Sequence, residues 1–97
     1  MRYDIVFAPE AVKDVERLTP YTRQMVRDTI EQCLRHAPTR VSKSRIKRLE
    51  GISQPQFRLR VGDVRVFYDV KGAVVEILAI VPKSEASMWL KREGTVE

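Results

Sequence analysis

From Gln56 to Asp69 the chain alternates apolar and polar positions. Phe57, Leu59 and Val61 alternate with Arg58 and Arg60, and Val64, Val66 and Tyr68 with Arg65 and Phe67. Period two is the signature of half-buried strands. The two-residue step Gly62-Asp63 between them predicts a hairpin and fixes its register. Val61 then faces Val64, Arg60 faces Arg65, Leu59 faces Val66 and Phe57 faces Tyr68. One face of the hairpin is apolar; the other gathers Arg58, Arg60 and Arg65. Like charges directly opposite one another cost a few tenths of a kcal/mol to ~1 kcal/mol. An anion lying across them removes that cost, and a phosphodiester is the natural candidate. A merely solvated outer face is the other reading of the same pattern.

The flanking segments extend this picture. Arg2 to Phe7 alternates as a first strand, with Tyr3, Ile5 and Phe7 on one side. Ala8-Pro9 opens a helix, with proline at the first position and Glu10 in the first turn. Ala11, Val12, Val15 and Leu18 form its apolar stripe, while Lys13, Asp14, Glu16 and Arg17 face water. Thr19-Pro20 breaks it. A second helix is predicted from Pro20 to His36, with Tyr21, Met25, Val26, Ile30, Cys33 and Leu34 on its apolar face. Thr39 to Pro55 reads as an aperiodic connection anchored by Ile46, Leu49 and Ile52. After the hairpin, Lys71-Gly72 predicts another turn and Ala73 to Val81 a third strand of a meander. That count sets Tyr68 opposite Val75, Val66 opposite Ile77 and Arg65 opposite Leu78, so that Leu78 and Ile80 flank the arginines. Pro82 ends the strand, Ser84 caps a short helix carrying Met88, Trp89 and Leu90, and Thr95 to Glu97 is a loose tail.

The fold class is therefore α+β and two-layered: N-terminal strand, helical hairpin, antiparallel meander, short closing helix. The 97 residues suit one compact domain spanning 1–97, and 43% apolar content is ordinary for a folded chain. No run of about 18 apolar residues appears, so no membrane span is expected. The opening MRYDIVF lacks the apolar stretch of a signal peptide. With Cys33 alone there is no disulfide framework and no cysteine-based metal site. These features lead to the expectation of a cytoplasmic protein without metal or cofactor. His36, the only histidine, falls at a helix end, where it suits a capping role.

Charge changes the picture more than composition does. From Arg35 to Arg65, nine basic residues stand against Glu50 and Asp63 and leave this window at +7, whereas the whole chain carries +5. Such concentration marks a polyanion-binding surface. Lys43, Arg45, Lys47 and Arg48 lead directly into the strand of Arg58 and Arg60. They are candidate phosphate contacts of the kind that position a nucleic acid without reading its sequence.

The phrase RIKRLEG followed by FRLRVGDVRVFYDV and VVEILAIV resembles the RelE/ParE family of bacterial toxins, small proteins paired with antitoxins. The resemblance implies a curved antiparallel sheet packed by two helices. In its RelE-like branch it implies a ribosome-dependent mRNA endonuclease that drives the ribose 2′-hydroxyl onto the adjacent phosphate without metal. Arg58, Arg60 and Arg65 match the basic positions of the two hairpin strands in that branch. Lys83 stands just after the last strand and is the candidate for charge stabilisation or proton donation, with Glu85 a further candidate base. Ser84 stands where arginine is expected, and Trp89-Leu90 replaces a tyrosine region. Arginine clamps phosphate well but is a poor base at neutral pH, so acid and base stay unassigned. The family implies a cognate antitoxin as partner, with the ribosome and mRNA as targets. A ParE-like inhibitor of DNA gyrase and an inactive RNA-binding relative are the alternative readings.

Overall fold

The computed structural model describes residues 1–97. The expected order of strand, helical hairpin, meander and closing helix is present. Strand β1 (Asp4–Phe7) leads into helices α1 (Pro9–Arg17) and α2 (Pro20–Leu34). Strands β2 (Ile46–Arg48), β3 (Ile52–Gln54), β4 (Phe57–Val61), β5 (Val64–Lys71) and β6 (Val74–Pro82) follow. Helix α3 (Lys83–Glu93) and the short strand β7 (Thr95–Val96) close the chain. The main sheet has the order β1-β6-β5-β4-β2, with β1 parallel to β6 and the other pairs antiparallel.

The first hairpin has the register set by its turn: Val61 faces Val64, Arg60 faces Arg65, Leu59 faces Val66 and Phe57 faces Tyr68. Gly62 adopts φ +56° there, a conformation that costs glycine little. The apolar hairpin face packs beneath α1 and α2. Ala11 and Val15 of α1, and Val26, Ile30 and Leu34 of α2, meet Leu59, Val66, Tyr68, Val75 and Ile77. Tyr68 is fully buried, stacks on Phe57 at 5.4 Å, and donates from Oη to the carbonyl of Pro38 at 2.6 Å.

Several sequence expectations are corrected. The second turn lies at Gly72-Ala73, so that Lys71 rather than Val70 opens the pairing, facing Val74. A bulge then inserts Leu78 between the pairs Phe67–Ala79 and Tyr68–Ile77. The two shifts bring Arg65 opposite Val81 rather than Leu78, and send Ile80 into the core beneath the helices. A bulge disrupts ladder pairing; here Asp14 Oδ2 accepts from Ile80 N at 2.9 Å. Asp14 is thus turned toward the sheet, not toward water. Tyr21 and Val12 are exposed instead of buried, and Thr29 takes a buried place on α2, its hydroxyl donating to the Met25 carbonyl. Helix α2 ends at Leu34, two residues early.

The connection 39–55 holds two short strands. β2 pairs with β4, and β3 pairs with β7, so the tail is tied down. Helix α3 begins at Lys83 after Pro82, without a side-chain cap from Ser84. It lies against the second face of the sheet, where Trp89, Leu90 and Ala86 pack on Phe67, Ala79, Val81 and Leu49. No helix is long and apolar enough to cross a membrane.

A candidate anion-binding cleft

Alternation along three adjacent strands builds the second face. Ile46 faces Leu59 and Lys47 faces Arg58. One residue earlier, the amide of Arg60 donates to the carbonyl of Arg45 at 2.8 Å, which extends the pairing to Arg45 and Arg60. Arg58 in turn faces Phe67, and Arg60 faces Arg65. Two rows therefore cross the sheet on this side: Arg45, Arg60 and Arg65 in one, Lys47, Arg58 and Phe67 in the other. Lys43, Arg45, Lys47, Arg58 and Arg60 line a cleft of about 250 Å³ between the 41–45 loop and strands β2 and β4. Arg48 does not join them. Its guanidinium lies over the Phe57 ring at 5.0 Å, on the helix side.

Arg65 is not on an uncovered surface, as its place in the alternation had suggested. Only 5% of it is exposed, and its Nη1 donates to the carbonyls of Gly62 and Val64 at 2.8 and 3.0 Å. Burial is the first cause pulling its pKa below the usual guanidinium value; the charges of Arg58 and Arg60 act the same way, and Asp63 opposes them. The three arginines are close enough to feel one another. Arg58 is half-buried, and its Nε is shielded from solvent without an acceptor. Arg60 is exposed.

No carboxylate forms an ion pair with this cluster; Asp63 acts on Arg65 only from a distance. The ion pairs of the chain are Lys13–Glu10, Arg17–Asp14, Arg35–Glu31, Lys71–Glu76 and Arg92–Glu93, and none involves a residue of the cleft. Like charges held together with only Asp63 opposing them raise the local positive potential, which favours an anion there. Lys83 is exposed, and its amide donates to the Asp63 carbonyl at 2.7 Å, which ties the start of α3 to the hairpin turn beside Arg60 and Arg65.

Two supports escape sequence reading. Asp69 is 2% exposed; its carboxylate accepts from Gln56 N at 2.8 Å and Gln54 Nε2 at 2.7 Å, and so anchors the chain entering β4. Nothing in the alternation marks it. Ser42 Oγ accepts from the amides of Arg45 and Ile46 at 3.1 and 3.2 Å and shapes the loop rim. A serine just ahead of a strand is a readable signal for such a turn. Phe67 is the one aromatic that the sheet supplies to this face, but it is fully buried under Trp89, stacked at 4.8 Å and 8°. It is closed to a base. His36 lies at the end of α2, its Nδ1 3.3 Å from the Met1 carbonyl. No three His, Cys, Asp or Glu side chains group so as to hold a metal ion.

A five-stranded sheet backed by a helical hairpin, with unpaired arginines on its other face, defines a small toxin of the RelE/ParE fold. The chain belongs to the family described as ParE toxin of the type II toxin-antitoxin system, parDE, whose model matches residues 5–86. It is thus a toxin of a type II toxin-antitoxin module. Solved structures agree in fold. A chain of the RelB-RelE antitoxin-toxin complex from Methanococcus jannaschii superposes with TM-score 0.66 at 21% identity, over 87% of this chain and 96% of that one. A chain of the RelBE2 complex from Mycobacterium tuberculosis gives TM-score 0.66 at 27% identity, over 84% and 99%. A mutant of E. coli toxin RelE in the free state gives TM-score 0.70 at 20% identity, over 96% and 99%. No curated protein matches the sequence.

Proposed function

We propose that this toxin is a ribosome-dependent mRNA endonuclease. The observation that carries the reading is the trio Arg58, Arg60 and Arg65, held together with no carboxylate in contact and with Arg65 desolvated. In the reaction the 2′-hydroxyl gives its proton to solvent water, its oxygen bonds to the adjacent phosphorus, and the bond to the departing 5′-oxygen breaks as that oxygen takes up a proton. The products are a 2′,3′-cyclic phosphate and a 5′-hydroxyl. Charge builds on the nonbridging oxygens of the pentacoordinate phosphorane, and preorganised cations stabilise it more than they stabilise the starting diester. Arg65, Arg58 and Arg60 serve that role. Lys83, beside the hairpin turn, supplies further charge or the proton taken by the 5′-oxygen. Lys43, Arg45 and Lys47 hold flanking phosphates; Arg48 reaches substrate only by leaving the Phe57 ring. The ribosome supplies orientation of the 2′-hydroxyl. A cognate antitoxin with acidic side chains near Arg58 to Arg65 would mask the cluster; several fold relatives were solved in antitoxin complexes.

One observation favours a second reading, the ParE-like inhibition of DNA gyrase. No histidine or tyrosine reaches this face, and the Trp89 ring is occupied by Phe67. The test is induction of the toxin in cells with RNA ends and DNA breaks mapped side by side. New RNA ends inside reading frames, abolished by Arg65→Ala, support the nuclease. Double-strand DNA breaks with unaffected translation support gyrase poisoning and overturn it.

A further inference from the structure

Strand β1 is an edge of the main sheet, and part of its backbone has no partner. The amides of Asp4 and Ala8 donate inward, to the β6-side carbonyls of Ala73 and Ile77, each at 2.9 Å. Alternation along a strand then turns the N–H and C=O groups of Ile5 and Phe7 outward, where no hydrogen bond reaches them. Tyr3, the next outward residue, is already closed. Its amide donates to the Arg35 carbonyl at 2.8 Å, and its carbonyl accepts from Arg35 Nη1 at 2.9 Å. At the other end Pro9 has no N–H and starts α1. Ile5 and Phe7 thus leave two donors and two acceptors open side by side. Apolar surface surrounds them: Val6 is 45% exposed, Phe7 36% and Val12 46%. Edge strands are commonly blunted by charge, proline or a bulge. The centre of this one, Ile5-Val6-Phe7, has none of these.

We propose that two copies of this chain pair antiparallel through β1, across a two-fold axis at Val6. That register alone uses all four open groups. Ile5 of one copy and Phe7 of the other exchange two hydrogen bonds, and the symmetry repeats them. Setting Ile5 against Ile5 would put Phe7 on the closed Tyr3, and setting Phe7 against Phe7 would put Ile5 on Pro9. Val6 then meets Val6 on one side of the sheet. On the other, Ile5 and Phe7 of each copy close over the groove of about 550 Å³ that they line with Val12, Val15 and Ile30. The same register carries Glu10, in the first turn of α1, towards Arg2 of the other copy; both are exposed. Net charge does not oppose the pairing. The excess of positive charge lies between Arg35 and Arg65, where Arg35 is paired with Glu31, and the rest of the chain is slightly negative. The basic cleft sits at β2 and β4, towards the opposite edge of the sheet, so both clefts stay open at the ends of the joined sheet.

Sedimentation velocity of the full chain reads the association, over about 1 to about 300 μM because so short a pairing belongs to the weak, concentration-dependent class. The wild type should pass from monomer to dimer in that range. Val6→Lys sets like charges face to face at the axis while leaving an ordinary edge residue. It should weaken the dimer roughly tenfold or more with an unchanged Tm. Cysteine substitution tests the register, because facing Cα atoms lie ~4.5–5.5 Å apart, within the span of a disulfide. With oxidised glutathione, Val6→Cys should cross-link to itself. Ile5→Cys mixed with Phe7→Cys should cross-link to each other faster than either does to itself, with the wild type, which has Cys33 alone, as the blank. A wild type that stays monomeric throughout overturns the pairing and leaves the edge to a strand of another protein. A dimer that a folded Val6→Lys does not weaken overturns it as well. So does a dimer in which Val6→Cys fails to cross-link, or in which Ile5→Cys and Phe7→Cys prefer themselves.

Discussion

Arg65 separates what the fold wants from what the function wants, so replacing it by methionine should move stability and activity in opposite directions. The guanidinium is 5% exposed, has no anionic partner, and faces Arg60 directly across the strand pair. Replacing even a buried ion pair with apolar groups of similar volume is often neutral or stabilising by 1–4 kcal/mol, and a lone buried guanidinium, with no attraction to lose, should gain within about that range. Relief of the facing charge adds ~0.2–1 kcal/mol. Against this stand the two hydrogen bonds from Nη1. Gly62 is exposed and its carbonyl can turn to water, so the main loss is at Val64, about 1–3 kcal/mol. The balance is a gain of about 1 kcal/mol, or roughly 4–8 °C in Tm for a chain of this size. Cleavage should fall about 10²- to 10³-fold, the usual cost of removing one preorganised charge-stabilising donor. Urea unfolding and a reconstituted translation reaction with end-labelled mRNA read the two effects. A variant that melts several degrees lower would show that Arg65 is a structural tie of the turn. One that cleaves within tenfold of wild type would remove it from the site.

Three further perturbations test the scaffold. Tyr68→Phe leaves the buried Pro38 carbonyl without its donor and should cost about 1–3 kcal/mol in urea unfolding, while leaving oligonucleotide affinity unchanged. Asp14→Ala should cost a similar ~1–3 kcal/mol by orphaning the Ile80 amide at the bulge, whereas Asp14→Asn, which keeps an acceptor, should cost clearly less; equal losses would mean that the bond is not what holds the bulge. The hydrogen bond from Arg35 holds the Glu31 carboxyl below its ordinary 4.5. A lowered folded-state pKa stabilises above the unfolded value and is lost as pH falls through the folded one. Glu31→Gln should therefore lower the urea midpoint slightly at pH 7 and leave it unchanged at pH 2.

The first hairpin was fully legible because its information is local. A two-residue turn with glycine in the left-handed region admits one register, and alternation then assigns every side chain to a face. The three arginines followed from that alone. The next turn was not legible to the same accuracy: Lys71-Gly72-Ala73 accommodates two placements one residue apart, and strand composition does not reveal where Leu78 bulges out. That slip is why Leu78 and Ile80 were expected beside the arginines where Val81 and Ala79 stand. Strands β2 and β3 were missed because three-residue strands carry too little periodicity to register. Yet β2 makes the row of two arginines into a row of three.

Burial of Arg65 was the least legible feature, and it bears most on chemistry. A charged residue in an alternating strand reads as exposed unless something later in the chain covers it. Here the cover is α3, whose Trp89 stacks on Phe67 next to Arg65 on the same face. That placement gives the helix two effects at once. It removes water from one side of the cluster, which strengthens each cation's interaction with a phosphate. It also closes the face beyond Arg65, along β5 at Phe67 and across the sheet at Val81. If α3 were merely a hydrophobic cover for the sheet, shortening Trp89 to leucine would lower the urea midpoint and leave mRNA cleavage by the folded variant unchanged. If the dry side it gives the cluster strengthens the hold on phosphate, the same change should lower cleavage at a temperature where the variant is still fully folded.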